Sequence, residues 1–296
     1  MVLSRYVGAE VRRKEDPRLI TGSSMYVDDL RLPGMTYVQL VRSPYPHANV
    51  RSIDTTAARA MPGVVLVLTG DELAAFCGPM AAGAGEGGGE SGEQADYDYE
   101  ALTQADIGAP STWPLARDKV RFVGEAVVAV VAESRYQAED AAEAVEIDYE
   151  VLPNVTNPED AMAPGAPCIY DHIPKNVGAR WDRVHGDVDA AFAIAPVVAK
   201  PRIRSQRLSG VPMEPRAVAA APDPLTRGLT IWTSTQAPHW NRNSIAEALG
   251  LPSTRVRCIA PEVGGGFGVK IGAYQEDLIV SAISWKLQRP VKWFET

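Results

Sequence analysis

Four glycines set around one phenylalanine, Gly264-Gly265-Gly266-Phe267-Gly268, with Lys270 close behind, constrain this chain more than any other stretch. A glycine inside a helix or strand costs roughly 0.5–1 kcal/mol against alanine, so three in succession do not belong in a regular element. They suit a main chain that takes positive φ or comes within contact of a flat ligand or an anion. A solvent-exposed hinge is the plain alternative. Against it, Val256-Arg257-Cys258-Ile259-Ala260 reads as a strand leading in and Tyr274 to Gln288 as a helix leading out, which is where α/β proteins bind ligands. Two phosphate-binding templates fail. The dinucleotide fingerprint needs glycine where this chain has Val269 or Ile271, and a P-loop needs Gly-Lys-Ser/Thr, whereas Lys270 stands between Val269 and Ile271.

The 296 residues, 46% hydrophobic and 22% charged, have the composition of an ordinary globular protein with room for two domains. The longest apolar runs, such as Ala126 to Ala132 and Val64 to Leu68, are strand-sized, far short of the roughly 20 residues of a membrane span. Met1 to Pro17 carries Arg5, Glu10, Arg12, Arg13, Lys14, Glu15 and Asp16 with no apolar core of signal-peptide length, so the expected location is the cytoplasm. A net charge of −8 with dispersed Lys and Arg argues against nucleic acid. The three cysteines, Cys77, Cys168 and Cys258, are far apart and suggest buried or incidental thiols. His47, His172, His185 and His239 show no metal-ligand spacing, so a metal would have to arrive with its own ligands.

Periodicity predicts strands over Thr36 to Arg42, Val50 to Asp54 and Val64 to Thr69, with a short helix from Thr55 to Met61. Asp71 is the expected N-cap of a helix from Glu72 to Phe76. Val120 to Ala132 reads as one long buried strand, Ser134 as the cap of a helix through about Ala144, and Val145 to Val151 as a strand. A glycine-rich acidic insertion over about 78–111 is expected to be a surface loop. Its accidental dinucleotide spacings, Gly83-Gly85-Gly88 and Gly87-Gly89-Gly92, lack the flanking strand and helix. Pro153 to Val184 is the expected connection. A strand and helix rhythm then follows: Asp187 to Ala195 helical, Val197 to Arg204 extended, Ala217 to Ala221 and Leu229 to Ser234 strands, His239 to Leu249 a helix ended by Gly250, Arg255 to Ile259 and Val291 to Glu295 strands.

The chain resembles the N-terminal part of the molybdenum-binding large subunit of the xanthine dehydrogenase, aldehyde oxidase and carbon monoxide dehydrogenase family. The resemblance rests on Gly264 to Lys270, on Ser234-Thr235-Gln236, and on Pro212-Met213-Glu214-Pro215-Arg216. Earlier blocks carry it too, among them Tyr26-Val27-Asp28-Asp29, Arg42-Ser43-Pro44-Tyr45-Pro46-His47-Ala48 and Val120-Arg121-Phe122-Val123-Gly124-Glu125. It implies an α+β protein: an N-terminal α/β hammerhead domain over 1–152, a linker over 153–185, and over 186–296 the first part of the α/β molybdopterin-binding domain.

The resemblance also implies a cofactor, molybdopterin cytosine dinucleotide with molybdenum held through the pterin dithiolene and by no protein ligand. Iron-sulfur clusters and FAD are expected in partner subunits. Alone, a glutamine beside a Pro-His pair would be a turn residue, but at this motif position the family places a glutamine that hydrogen-bonds a molybdenum oxygen, which assigns Gln236. The family's glycine segment gives backbone amides to the metal centre and lays its phenylalanine beside substrate. That assigns Gly264, Gly265, Gly266, Phe267 and Gly268, with Gln236 and Phe267 as the catalytic pair. Glu214 and Arg216 read as a structural ion pair and supporting residues.

Xanthine-oxidising relatives have a glutamate after the loop lysine, and Ile271 stands there, which speaks against purine recognition of that type. The family's general base and the rest of its pterin site lie in a C-terminal half that these residues do not include. The expectation is therefore a molybdenum hydroxylase portion acting on an aldehyde, an N-heteroaromatic or carbon monoxide, with a further chain supplying that half. The rival is a non-catalytic truncated or split-gene fragment. A nucleotide-dependent dehydrogenase is disfavoured by the failed fingerprints.

Overall fold

The computed structural model describes residues 8, 12–80, 106–107, 112–180 and 185–296. The insertion expected over about 78–111 lies mostly outside them. In chain order the elements are α1 (Asp16–Ile20), β1 (Thr36–Arg42), β2 (Ala48–Asp54), α2 (Thr56–Ala60), β3 (Val64–Thr69), α3 (Gly70–Ala74), β4 (Asp106–Ile107), β5 (Lys119–Val120), β6 (Ala126–Ala132), α4 (Arg135–Glu143), β7 (Glu146–Val151), α5 (Pro158–Ala161), β8 (Ala179–Arg180), α6 (Val188–Ile194), β9 (Ala217–Asp223), β10 (Gly228–Thr233), α7 (Pro238–Ala248), β11 (Val256–Ile259), α8 (Gln275–Leu287) and β12 (Val291–Phe294). Among the described residues no helix is long and apolar enough to cross a membrane.

A seven-stranded sheet in the order β11-β10-β9-β12-β1-β6-β3 draws strands from both ends of the sequence. The joint is β12, antiparallel to β9 on one side and parallel to β1 on the other. A smaller antiparallel sheet, β5-β2-β7, takes three further N-terminal strands and β4 pairs with β8, so the strands read as one α+β unit divide between two sheets. Every residue of β6 is buried, because both its faces are covered. Ala129 and Val131 join the core beneath α8, with Leu278, Ile279 and Ile283, while Val128 and Val130 pack with Ala48, Ala58, Val67 and Ala141.

Two expectations are corrected. The single strand over Val120 to Ala132 is broken: Val120 pairs with β2 and Ala126 begins the pairing with β1. Between them Gly124 takes φ +89°, its N–H donates to the Ser43 carbonyl, and the Glu125 carboxylate accepts the Arg121 N–H at 2.5 Å. The apolar run hid a turn whose Phe122 and Val123 are exposed. The helix after β3 starts at Gly70 and is capped by Thr69, not by Asp71: the Thr69 N–H donates to Glu72 Oε2 at 2.8 Å while the Thr69 hydroxyl accepts the Glu72 N–H. Thr69-Gly70-Asp71-Glu72 is a capping box. Ser134 caps α4 as expected. The thiols are all free, and burial pushes those of Cys77 and Cys258 up to about 12.

One charged cluster ties the sheet joint to α8. Arg216 Nη1 donates to Glu276 Oε2 at 2.9 Å and Nη2 to Glu295 Oε1 at 2.7 Å, while Arg42 Nη2 donates to Glu276 Oε1 at 2.7 Å. Burial works to raise the Glu276 carboxyl, but Arg216 and Arg42 hold it below the usual carboxylate range. The Arg216 guanidinium also stacks on Tyr274, 4.4 Å from the ring centroid. Its removal leaves the buried Glu276 carboxylate with Arg42 alone, so Arg216→Met is expected to cost about 3 kcal/mol in urea denaturation. A loss below roughly 0.5 kcal/mol, the size of an exposed pair, would show the cluster to be dispensable.

Candidate functional site

β10 and β11 run parallel, with Ile231 opposite Cys258 and Trp232 opposite Ile259. Their C-terminal ends therefore emerge at one edge, and the chain beyond them brings Gln236 against the glycine loop. The Gln236 N–H donates to the Lys270 carbonyl at 2.9 Å. Its side-chain Oε1 accepts the Gly268 N–H at 3.0 Å and, more loosely, the Lys270 N–H at 3.4 Å. Two N–H groups facing one amide oxygen fix which way the amide lies, and the Nε2 end is left as a donor.

The glycines are what let this side chain approach. A Cβ on Gly266 would lie 2.4 Å from Gln236 Oε1, and one on Gly264 would lie 2.5 Å from the Glu214 Cβ. Gly265 and Gly268 take φ of +104° and +89°, and Phe267 itself takes +52°, a left-handed conformation uncommon for a side-chain-bearing residue. The loop is therefore held by its contacts and is no free hinge.

A buried lysine supplies much of that hold. Lys270 is 1% exposed, and its Nζ donates to Ser234 Oγ at 2.7 Å, to the Glu214 carbonyl at 2.8 Å and to Glu214 Oε2 at 3.1 Å. The same carboxylate oxygen accepts the Ser234 hydroxyl at 2.6 Å and the Gly264 N–H at 2.7 Å. The expected Glu214–Arg216 pair is thus replaced: Glu214 serves Lys270, and Arg216 turns to Glu276 and Glu295. Residues two apart share a side of an extended chain, but the chain bends at Met213 and Glu214 before β9, and Glu214 and Arg216 part company there. In the sequence Lys270 was visible as the end of the glycine motif and as a failed P-loop lysine, with no partner assigned to it. A charged residue two positions after a glycine loop and a glutamate beside a proline were the signals for this clamp.

The structure brings Gln236, Gly264, Gly266 and Gly268 together, but it uses their donors unequally. The Gly264 and Gly268 N–H groups are taken by Glu214 and Gln236. Those of Gly265, Gly266 and Phe267 find no acceptor among the described residues. Phe267 is 75% exposed, its ring lying against Gly265. Three successive main-chain donors and a carboxamide Nε2 suit a ligand rich in oxygen. Behind them, Thr233 Oγ1 donates to Asp277 Oδ1 at 2.7 Å, tying the end of β10 to the start of α8. Asn241, wholly buried on α7 with both amide atoms unpartnered among the described residues, lines the same small polar cavity as Asp277. Neither residue carried a sequence signal.

Residues 21–83 and 94–153 match the aldehyde oxidase and xanthine dehydrogenase a/b hammerhead domain, and residues 169–296 match the molybdopterin cofactor-binding domain. The chain is thus of the class that joins a hammerhead domain to a molybdopterin-binding domain. It is 40% identical over 290 residues to the 6-hydroxypseudooxynicotine dehydrogenase complex subunit gamma of Paenarthrobacter nicotinovorans, with 98% of this chain and 34% of the relative covered. It is 38% identical over 302 residues to the carbon monoxide dehydrogenase large chain of Afipia carboxidovorans, again over 98% of this chain and 34% of the relative. Quinoline 2-oxidoreductase from Pseudomonas putida 86 superposes with a TM-score of 0.83 at 36% identity, covering 98% of this chain and 34% of that one. The chain belongs to the xanthine dehydrogenase, aldehyde oxidase and carbon monoxide dehydrogenase large-subunit family, and spans about a third of the length of these relatives.

Two outcomes test the site's construction. Gly266→Ala puts a methyl group where the Gln236 amide lies, so it is expected to speed exchange of the Gly268 amide and to lower stability by about 1–3 kcal/mol. Unchanged exchange would mean that Gln236 does not lie against the loop. Burial, opposed by the Tyr274 N–H and the Thr233 hydroxyl, pushes the Asp277 carboxyl from its ordinary 3.8 up to about 6. With the folded-state value raised, this group favours folding most below the unfolded value, and the advantage is lost as pH rises through about 6. Asp277→Asn should remove that slope, improving the variant relative to wild type by on the order of 2 kcal/mol between about pH 4 and pH 7. Parallel pH curves from urea titrations would show an ordinary carboxylate.

Proposed function

We propose that this chain is the N-terminal part of the molybdenum-cofactor-binding large subunit of a molybdenum hydroxylase, an oxidoreductase working within a multi-subunit complex. The observation that carries the reading is the seating of Gln236 against Gly266 and Gly268, which leaves its Nε2 and the N–H groups of Gly265, Gly266 and Phe267 as unspent donors. These groups would hold the oxygen-bearing end of a molybdopterin cofactor, in the cytosine dinucleotide form. When bound, that group supplies two-electron oxidation with water as the oxygen source.

The chain's own contribution is placement. Gln236 presents a neutral donor, so it orients without adding charge. The Lys270–Glu214 clamp fixes the loop that carries the main-chain donors. The Phe267 ring, a broad apolar face at the loop's open side, borders a flat substrate. Ile271 in place of a glutamate directs the reading away from purines and toward an aldehyde, an N-heteroaromatic or carbon monoxide. Electrons would pass to iron-sulfur and FAD subunits in the cytoplasm, and the general base belongs to the part of the large subunit that this chain does not span.

In the complete enzyme isolated from its own cells, near one molybdenum per chain is expected by elemental analysis. Gln236→Ala should keep that metal while turnover falls by roughly 10- to 1,000-fold, as for loss of one positioned donor. Metal-free protein would refute the assignment, and unchanged turnover would remove Gln236 from the mechanism.

A further inference from the structure

The first turn of α7 buries a carboxamide. Asn241 is 0% exposed, and its main-chain N–H donates to the Ala237 carbonyl at 3.1 Å. Neither its side-chain Oδ1 nor its Nδ2 has a hydrogen-bond partner among the described residues. Native proteins pair nearly all such buried groups, and they use internal water where no protein group reaches.

The amide lines a small cavity whose hydroxyls and cations are already engaged. The Ser234 hydroxyl donates to Glu214, that of Thr235 to the Lys270 carbonyl and that of Tyr274 to the Val269 carbonyl. The Lys270 ammonium has three N–H groups, and all three go to Glu214 and Ser234. Arg216 is spread over Glu276 and Glu295. None of these has a hydrogen bond to spare for Asn241.

What the cavity does offer is Asp277. Its Oδ1 accepts the Thr233 hydroxyl at 2.7 Å and its Oδ2 the Tyr274 N–H at 2.9 Å, so each carboxylate oxygen keeps a lone pair for another donor. The centre of a water molecule has about 10 Å³ to occupy in the cavity, which is room for one. Charge favours the same occupant. Lys270 and Arg216 already face acids of their own, and an added ion would be buried at a cost of several kcal/mol. Water is neutral, and it both accepts from an amide and donates to a carboxylate.

We propose that one water molecule is bound in this cavity, accepting from Asn241 Nδ2 and donating to an Asp277 oxygen, and that Asn241 acts through it as a positioning residue for Gln236. The water joins the first turn of α7 to the first turn of α8. Gln236 lies two residues before α7, and Thr235, whose hydroxyl accepts the Ala237 N–H at 3.0 Å, lines the same cavity. The link therefore fixes the stretch of chain from which Gln236 reaches the Gly268 N–H. It rests on this buried geometry and not on the reaction proposed above, so its tests read neither turnover nor molybdenum.

Crystals of the complete enzyme isolated from its own cells, grown with rubidium as the only monovalent cation, test the site. A fully occupied water is expected within about 3.2 Å of both Asn241 Nδ2 and an Asp277 oxygen. A rubidium anomalous peak there, or an Asn241 amide bonded directly to protein at both ends, overturns the proposal. Asn241→Leu removes the donor, so exchange of the Gly268 amide is expected to be roughly 10-fold faster while β9 and the middle of α8 keep their rates. Asn241→Ala carries the same expectation should the leucine variant not assemble. Asn241→Ser keeps a hydroxyl for the water and is expected to stay within about threefold of wild type. Unchanged Gly268 exchange in the first two variants, or an acceleration that β9 shares, overturns the positioning role.

Discussion

The Lys270 ammonium is the constraint on which the site depends. A lysine almost wholly removed from water must be given acceptors, or its burial costs several kcal/mol. Its acceptors come from the approach to β9, in the Glu214 carboxylate and carbonyl, and from the end of β10, in the Ser234 hydroxyl. The same carboxylate holds the first glycine of the loop. Three stretches distant in sequence are thereby locked into one arrangement, and the Gln236 bonds to Gly268 and Lys270 follow from it.

That lock is set on a rigid platform. β9 and β10 form an antiparallel pair, β11 runs parallel beside β10, and α8 packs across β9, β12 and β10 with an almost wholly buried middle. The start of α8 is fixed twice, by Asp277 to Thr233 and by Glu276 to Arg216 and Arg42. Placing the site at the ends of strands, with charged residues behind it holding its supports, gives positioned donors without dependence on loop stiffness.

Much of the fold was legible where local signals are strong. Thr36–Arg42 and Val64–Thr69 appear with the expected bounds, Ser134 and Gly250 fall where the helix ends put them, and α8 lies within the expected Tyr274 to Gln288. Apolar content alone could not separate β5 from β6, because a turn carrying apolar side chains such as Phe122 and Val123 reads like a strand even where they are exposed. The glycine run and Gln236 were legible as a pair through their motifs. The partners of Glu214 and Arg216 were not, and neither was that of Asp277, since each depends on a residue dozens of positions away. The exposed Val197 to Arg204 segment showed its alternation in sequence, yet only the structure revealed that it enters no ladder among the described residues.

By itself the sequence determined the glycine loop, the Ser134 cap and the order of the family's motifs, because near-neighbour sterics and side-chain period act over a few residues. Tertiary structure decided which charges pair, which glycine amides remain free as donors, and that β12 joins strands from the two ends of the chain. Those outcomes depend on which strand ends meet in space. A carboxylate such as Glu214 takes whichever cation the packed sheet buries beside it, and the cation next to it in sequence goes elsewhere.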